Sequence, residues 1–361
     1  MLKLNKKSII KRSKKANQRA PKKRIFLSMA WLTAVFALIL WFLVFYYTPT
    51  HPSAKALYYK SLDLSQARQA TYVGKPIEKV KDFGVVNNVR EQLVVFNVSK
   101  DGLSEYALMT LPKDPPKNGH YPTIILCHGY ANPEAYSTLE TYINDMDFYS
   151  QHGFAVIKPD FRGNGFSVAS GTPDGAYYSM SYNTDVMSLI ASVKQTGYLD
   201  KNNISLWGQS MGAYVALRAA VVSPDIKHVV LLSGPVGTPQ DMYLDYTPIS
   251  DFNNPAATEI RLQEINAHGT PASNPAYWNK TTPLSYLKLI KANIQIHVGS
   301  KDQIVPPKFS ADLNSRLNKL KIPHEYYVYP NGDHGLGAQR GLVWPRSLTF
   351  FQAKSSLDTK H

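Results

Sequence analysis

The sequence of 361 residues contains a single cysteine, Cys127. No intramolecular disulfide can form, so the fold is not stapled by oxidation. Metal-binding patterns are missing too: there is no H-E-x-x-H, no Cys pair and no clustered His/Asp spacing. Internal repeats and long low-complexity tracts are also lacking. Acid is scarce, with 26 Asp and Glu against 40 Lys and Arg, for a formal charge of +14. The shortage is local: residues 1–24 hold eleven Lys or Arg and no acid, which leaves only +3 for everything that follows. A basic excess confined to one tail argues against a nucleic-acid partner for the rest of the chain.

The tail runs into Ile25–Tyr47, which has no charged residue across 23 positions. About 20 apolar residues at about 1.5 Å each span a hydrocarbon core of about 30 Å, so this stretch is expected to be one transmembrane helix. Trp41, Tyr46 and Tyr47 fall near its far end, where amphipathic rings favour the interface. The lipid bilayer is thus an expected partner. By the positive-inside tendency, residues 1–24 stay in the cytoplasm and the remainder lies across the cell membrane. The competing reading is a cleaved signal peptide with Ala54-Lys55-Ala56 as its cleavage site. The apolar run is longer than the usual ~7 to 15 residues of a signal core, which favours a retained anchor.

The most informative motif is Gly208-Gln209-Ser210-Met211-Gly212. A bare G-x-S-x-G is weak, so its context must carry the weight. Ile204 to Trp207 before it is β-prone, and Ala213 to Val222 after it is Ala- and Leu-rich with no Gly or Pro. Strand, sharp turn and helix make a nucleophile elbow, in which the serine is held out at the top of a sheet. A serine hydroxyl needs a base, and the base needs an acid to fix its tautomer. Ile294 to Val298 reads as a strand ending in Gly299-Ser300-Lys301-Asp302. After a helix near Pro307–Leu320 and a strand over His324–Tyr329 comes Asn331-Gly332-Asp333-His334-Gly335. Ser210, Asp302 and His334 follow the chain order of the α/β-hydrolases. Asp333 and Asp241 are rival acids, the first poorly aimed as the neighbour of His334, the second remote. For the oxyanion, the N–H groups of Met211, just past the serine, and of Tyr130, in His128-Gly129-Tyr130 after the strand Thr123–Cys127, are the expected donors.

The stretch from about Tyr121 to Phe351 resembles the α/β-hydrolase superfamily, and within it the catalytic domain of prolyl-oligopeptidase-like serine hydrolases. The matching blocks are Cys127-His128-Gly129, Pro159 to Gly165, Leu206 to Gly212, Val298 to Pro306 and Gly332 to Gly335. Two departures stand out. Ala213 occupies a position where many relatives carry a second glycine, and there is no room for the large propeller that gates the oligopeptidases and carries their amino-terminus-binding acidic pair. The resemblance implies a serine hydrolase that needs no cofactor. A small-molecule carboxylic ester is the first expected substrate, a short peptide the second, and a non-catalytic binding module that kept the fold the third reading.

Strand-like and helix-like segments alternate downstream, which implies a mostly parallel central sheet with helices on both faces. The expected organisation is a basic tail at 1–24, the anchor at 25–47, a connector at 48–84 and the hydrolase domain at 85–361. That domain should open on an antiparallel hairpin, Glu91–Val98 with Ser104–Leu111, and carry a helix within Glu134–Gln151. A Pro-, Asn- and Tyr-rich insertion at about 236–290 is too long for a crossover. It is expected to cap the active site, or else to pack its aromatics on the helices below. His128, Asp160, Arg162 and His297 are expected to order loops and core rather than do chemistry, and Cys127 to be an inert buried thiol.

Overall fold

The structure, a computed structural model, describes residues 63–98, 102–132, 135–170, 180–246 and 255–355. The basic tail and the expected anchor at 25–47 lie outside the described residues. Among those described, no helix is long and apolar enough to cross a membrane.

The described chain begins with a short helix, α1 (Leu64–Gln69), capped by Asp63, whose carboxylate accepts the Ser65 N–H at 2.7 Å. Three antiparallel strands follow: β1 (Glu78–Val86), β2 (Val89–Val98) and β3 (Leu103–Pro112). The expected hairpin is therefore the latter part of a three-stranded meander, and the sheet starts inside the stretch read as connector. β1 escapes sequence reading because it is an edge strand in which Lys79, Val80 and Lys81 are all exposed, leaving no alternation to see. A turn signal was present nonetheless. Asn87 and Asn88 both have positive φ, 50° and 65°, as a tight hairpin turn demands and as asparagine tolerates.

Strands and helices then alternate through β4 (Tyr121–Cys127), α2 (Ile143–Gln151), β5 (Ala155–Pro159), α3 (Ser181–Val193), β6 (Leu199–Gln209), α4 (Met211–Val222) and β7 (Ile226–Leu232). After the insertion helices α5 (Pro255–His268) and α6 (Pro275–Thr281) come β8 (Asn293–Gly299), α7 (Lys308–Lys319), β9 (His324–Tyr329) and α8 (Arg340–Gln352). The helix expected within Glu134–Gln151 runs from Ile143 to Gln151. Ahead of it, side chains hold the backbone in turns: the hydroxyls of Tyr136 and Thr138 donate to Asp160 at 2.9 and 2.7 Å, and Ser137 N–H donates to Thr141 at 3.0 Å.

The strands form one nine-stranded sheet in the order β1-β2-β3-β5-β4-β6-β7-β8-β9. Every pair from β5 to β9 is parallel, while β3 joins β5 antiparallel. Apolar side chains leave β4 on both faces. Ile125 and Cys127 enter a core with α3, α4 and α7, and Ile124 and Leu126 enter another with α2 and α8. Burial on both sides is what a central parallel strand requires. The carboxyl ends of β4, β6, β8 and β9 consequently share one edge, where ligands bind on sheets of this kind.

In its described residues the insertion at 236–290 packs beside α4. Trp278 of α6 is fully buried, its ring 4.3 Å from that of Tyr243, and Arg218 of α4 donates to the carbonyl of Thr281 at 3.5 Å. The segment Pro283–Leu289 packs on α4, and α6 packs on α1. These aromatics bury the outer flank of α4, the second of the two expected arrangements, and residues 247–254 of the insertion lie outside the described residues. Tyr246 bonds to the cleft rim, donating to the carbonyl of Ile304 at 3.0 Å.

Candidate active site

Ser210 stands between β6 and α4 with φ 54° and ψ −126°, a region that side-chain-bearing residues rarely occupy. Its N–H donates to the carbonyl of Leu232 at 2.9 Å, tying the turn to β7. The flanking glycines are there for backbone contact. A Cβ on Gly212 would overlap the carbonyl of Cys127, and one on Gly208 would overlap that of Gly212. The departure at Ala213 is accommodated across the sheet edge: a Cβ on Gly234 would lie 2.8 Å from the Ala213 methyl, so the glycine in the loop after β7 leaves room for it.

Asp302 follows β8 and is almost fully buried. One carboxylate oxygen accepts the N–H groups of Ile304 and Val305, each at 2.9 Å, and the other accepts Nδ1 of His334 at 2.8 Å. Since a carboxylate only accepts, Nδ1 carries the proton and Nε2 presents a lone pair. The loop bearing His334 is laced to its neighbours by Lys301 N–H to Gly332 O at 2.9 Å and by the Gln209 amide to His334 O at 3.3 Å. Gly299 permits this approach, because a Cβ there would strike the Gly332 carbonyl. The rival acids are occupied elsewhere or unaligned: Asp241 pairs with Lys308 at 2.5 Å, and Asp302 rather than Asp333 meets the imidazole.

Ser210 and His334 open onto one cleft of about 290 Å³, lined also by Gly129, Tyr130, Asn132, Tyr142, Gln209 and Ile304. The structure therefore brings together Ser210, Asp302, His334 and Tyr130, with Met211 as the first, buried residue of α4 beside the serine. Gln209, Asn132, Tyr142 and Ile304 were not singled out in the sequence. Gln209 sits inside the motif as its variable position and Ile304 inside the block Val298 to Pro306, whereas no local pattern marks Asn132 or Tyr142.

The residues expected to order the site do so. His128 is buried and its Nδ1 lies 2.7 Å from the Gly129 carbonyl, with burial lowering its pKa to about 4, so a neutral ring sets the start of the loop. Asp160 gathers Tyr136, Thr138 and the Phe166 N–H, and Lys158 beneath it donates to the Tyr136 hydroxyl at 2.9 Å and the Thr138 carbonyl at 3.0 Å. Arg162 pairs with Asp185, and His297 bonds Tyr329 and Gln295 within the sheet. Burial raises the Cys127 thiol pKa, which suits an unreactive core residue.

Comparison with known proteins gives the same lineage. The profile of the prolyl oligopeptidase family matches residues 140–356. Human acylamino-acid-releasing enzyme is 23% identical over 244 residues, 66% of this chain and 32% of that protein, so the chain spans about a third of the relative's length. In fold it resembles acetyl xylan esterase 1 from Thermoanaerobacterium sp., with a TM-score of 0.58 at 20% identity over 80% of this chain and 91% of that one. It also resembles dipeptidyl peptidase 4 of Porphyromonas gingivalis, with a TM-score of 0.54 at 18% identity over 73% and 35%. The chain is a serine hydrolase with the α/β-hydrolase fold, and it belongs to the prolyl oligopeptidase family.

Proposed function

We propose that the protein is a membrane-anchored hydrolase that cleaves carboxylic esters through an acyl-enzyme, with amides of short peptides as the second substrate class. Ser210 attacks the carbonyl carbon while Nε2 of His334 takes its proton, and Asp302 orients the imidazole and stabilises its charge. The amides of Met211 and Tyr130 hold the negative oxygen of the tetrahedral intermediate. His334 then protonates the departing alcohol, and in the second half it activates the water that releases the acid.

The observation that carries the ester reading is the lining of the cleft. At about 290 Å³ it lies at the small end for ligand sites, which run from about 300 to 1,000 Å³. Among the described residues no carboxylate lines it, so none there would pair with the free ammonium of a peptide. The peptide reading draws support from the human relative, named for releasing acylamino acids. A panel of aryl esters, acylated sugars, lipids and short peptides separates the two. The expected outcome is the highest kcat/KM on short acyl esters, and a preference for free-amine dipeptides over every ester would overturn the assignment.

The anchoring rests on the uncharged run at 25–47 and the eleven basic residues before it. Protease added to intact cells or spheroplasts should degrade the carboxy-terminal domain and spare an amino-terminal tag. Protection of the domain until the membrane is permeabilised would reverse the orientation, and its release with a new amino terminus near Leu57 would make the segment a cleaved signal.

A further inference from the structure

Tyr142 precedes α2 in the left-handed region, at φ 65° and ψ 14°, where asparagine or glycine would be the unstrained choice. The conformation swings its ring beneath the loop after β4. There the ring packs edge-on against Trp207 with centroids 5.8 Å apart, and the hydroxyl oxygen accepts the Gly129 N–H at 3.0 Å. The hydroxyl is close to the reacting centre as well as to the loop. It lies 2.9 Å from the point where a Gly129 Cβ would sit, and the Cβ of Ser210 lies 3.3 Å from the same point. Backbone strain at a cleft-lining tyrosine is the kind of feature that persists where it serves a site.

We propose that Tyr142 is a positioning residue for the oxyanion-binding amide of Tyr130. By taking the Gly129 N–H it fixes the orientation of the peptide unit between His128 and Gly129, and so of the next one, whose N–H is that of Tyr130. His128 grips the same loop from its other side through the Gly129 carbonyl, so both polar groups of Gly129 are held and the Tyr130 N–H is left to the cleft. A burial that drives the phenol pKa up to about 12 keeps the brace neutral throughout the range in which the histidine works. This assignment rests on the acyl-transfer reading of the same cleft.

Tyr142→Phe removes one oxygen and keeps the ring against Trp207. The loop should then relax by a fraction of an ångström, a scale of misplacement that costs up to about a hundredfold in rate. With the full-length protein and a short-chain aryl ester, the expected result is a ten- to hundredfold fall in kcat with KM within about twofold. Affinity for an alkyl boronic acid, whose tetrahedral serine adduct places an oxygen in the same hole, should weaken by a similar factor. Unchanged kcat and boronate affinity, or a loss wholly accounted for by KM, would overturn the proposal. Ser210→Ala in parallel separates the two ideas: if it retains activity, the acyl-transfer reading itself fails, whereas an inactive Ser210→Ala beside an unimpaired Tyr142→Phe sinks only the brace.

Discussion

Ser210→Ala is expected to lower kcat/KM on a short-chain aryl ester by on the order of 10⁴-fold or more, and to abolish labelling by a fluorophosphonate probe. Loss of the nucleophile leaves only the binding and oxyanion contributions, which retain some rate over water but cannot form the acyl-enzyme. The protein should remain folded, because the turn is held by backbone bonds of Ser210 to Leu232 and of Ala213 to Ser210 that do not involve the hydroxyl. Ser210→Gly sharpens the test. It is equally without a nucleophile, yet it relieves a backbone at φ 54° and ψ −126° that costs a side-chain-bearing residue of order 1–3 kcal/mol. The glycine form should therefore melt above the wild type while being as inactive as the alanine form. Comparable hydrolysis by wild type and either variant would remove Ser210 from the mechanism, and a lower melting point for Ser210→Gly would show that the strain is not there.

Such strain also explains why the site was so legible in the sequence. The elbow forces glycine at 208 and 212 for reasons of backbone overlap, and the close pass of Gly299 against Gly332 forces glycine beside both the acid and the base. Each chemical group is thus announced by the small residues that let the chain reach it. Strands β4, β6 and β8 were equally plain, since burial on both faces leaves short apolar runs with few other readings.

What the sequence concealed was held by long-range side-chain contacts. Tyr142 braces a loop thirteen positions away, and its left-handed backbone has no compositional mark, because tyrosine is not a residue that favours it. The insertion was left with two readings for a related reason. A run of aromatics reads the same whether it covers a cleft or a helix, and only the burial of Trp278 and the bond from Arg218 to Thr281 assign it to the flank of α4. β1 was lost because an edge strand exposed on both faces has no periodicity to detect, although the Asn87-Asn88 turn was available.

Asp302→Asn should lower kcat by on the order of 10³- to 10⁴-fold, through the direction of hydrogen bonds rather than through loss of fold. The carboxylate accepts on both sides, from Nδ1 of His334 at 2.8 Å on one oxygen and from the Ile304 and Val305 N–H groups at 2.9 Å on the other. An asparagine can satisfy only one side. With its carbonyl toward the two backbone donors, its amide faces Nδ1 and donates to it, so the ring proton moves to Nε2 and the lone pair needed by Ser210 is gone. Flipped, the amide meets two N–H groups head-on, leaving buried donors unpaired at about 1–3 kcal/mol each. The first orientation is therefore favoured, and the variant should fold with its histidine in the wrong tautomer. Asp333→Asn is the control, expected to stay within about threefold of wild type, since Asp302 rather than Asp333 meets the imidazole. The measurement is kcat across pH 6 to 9 for all three proteins. A larger loss in Asp333→Asn than in Asp302→Asn would transfer the orienting role to the neighbouring carboxylate.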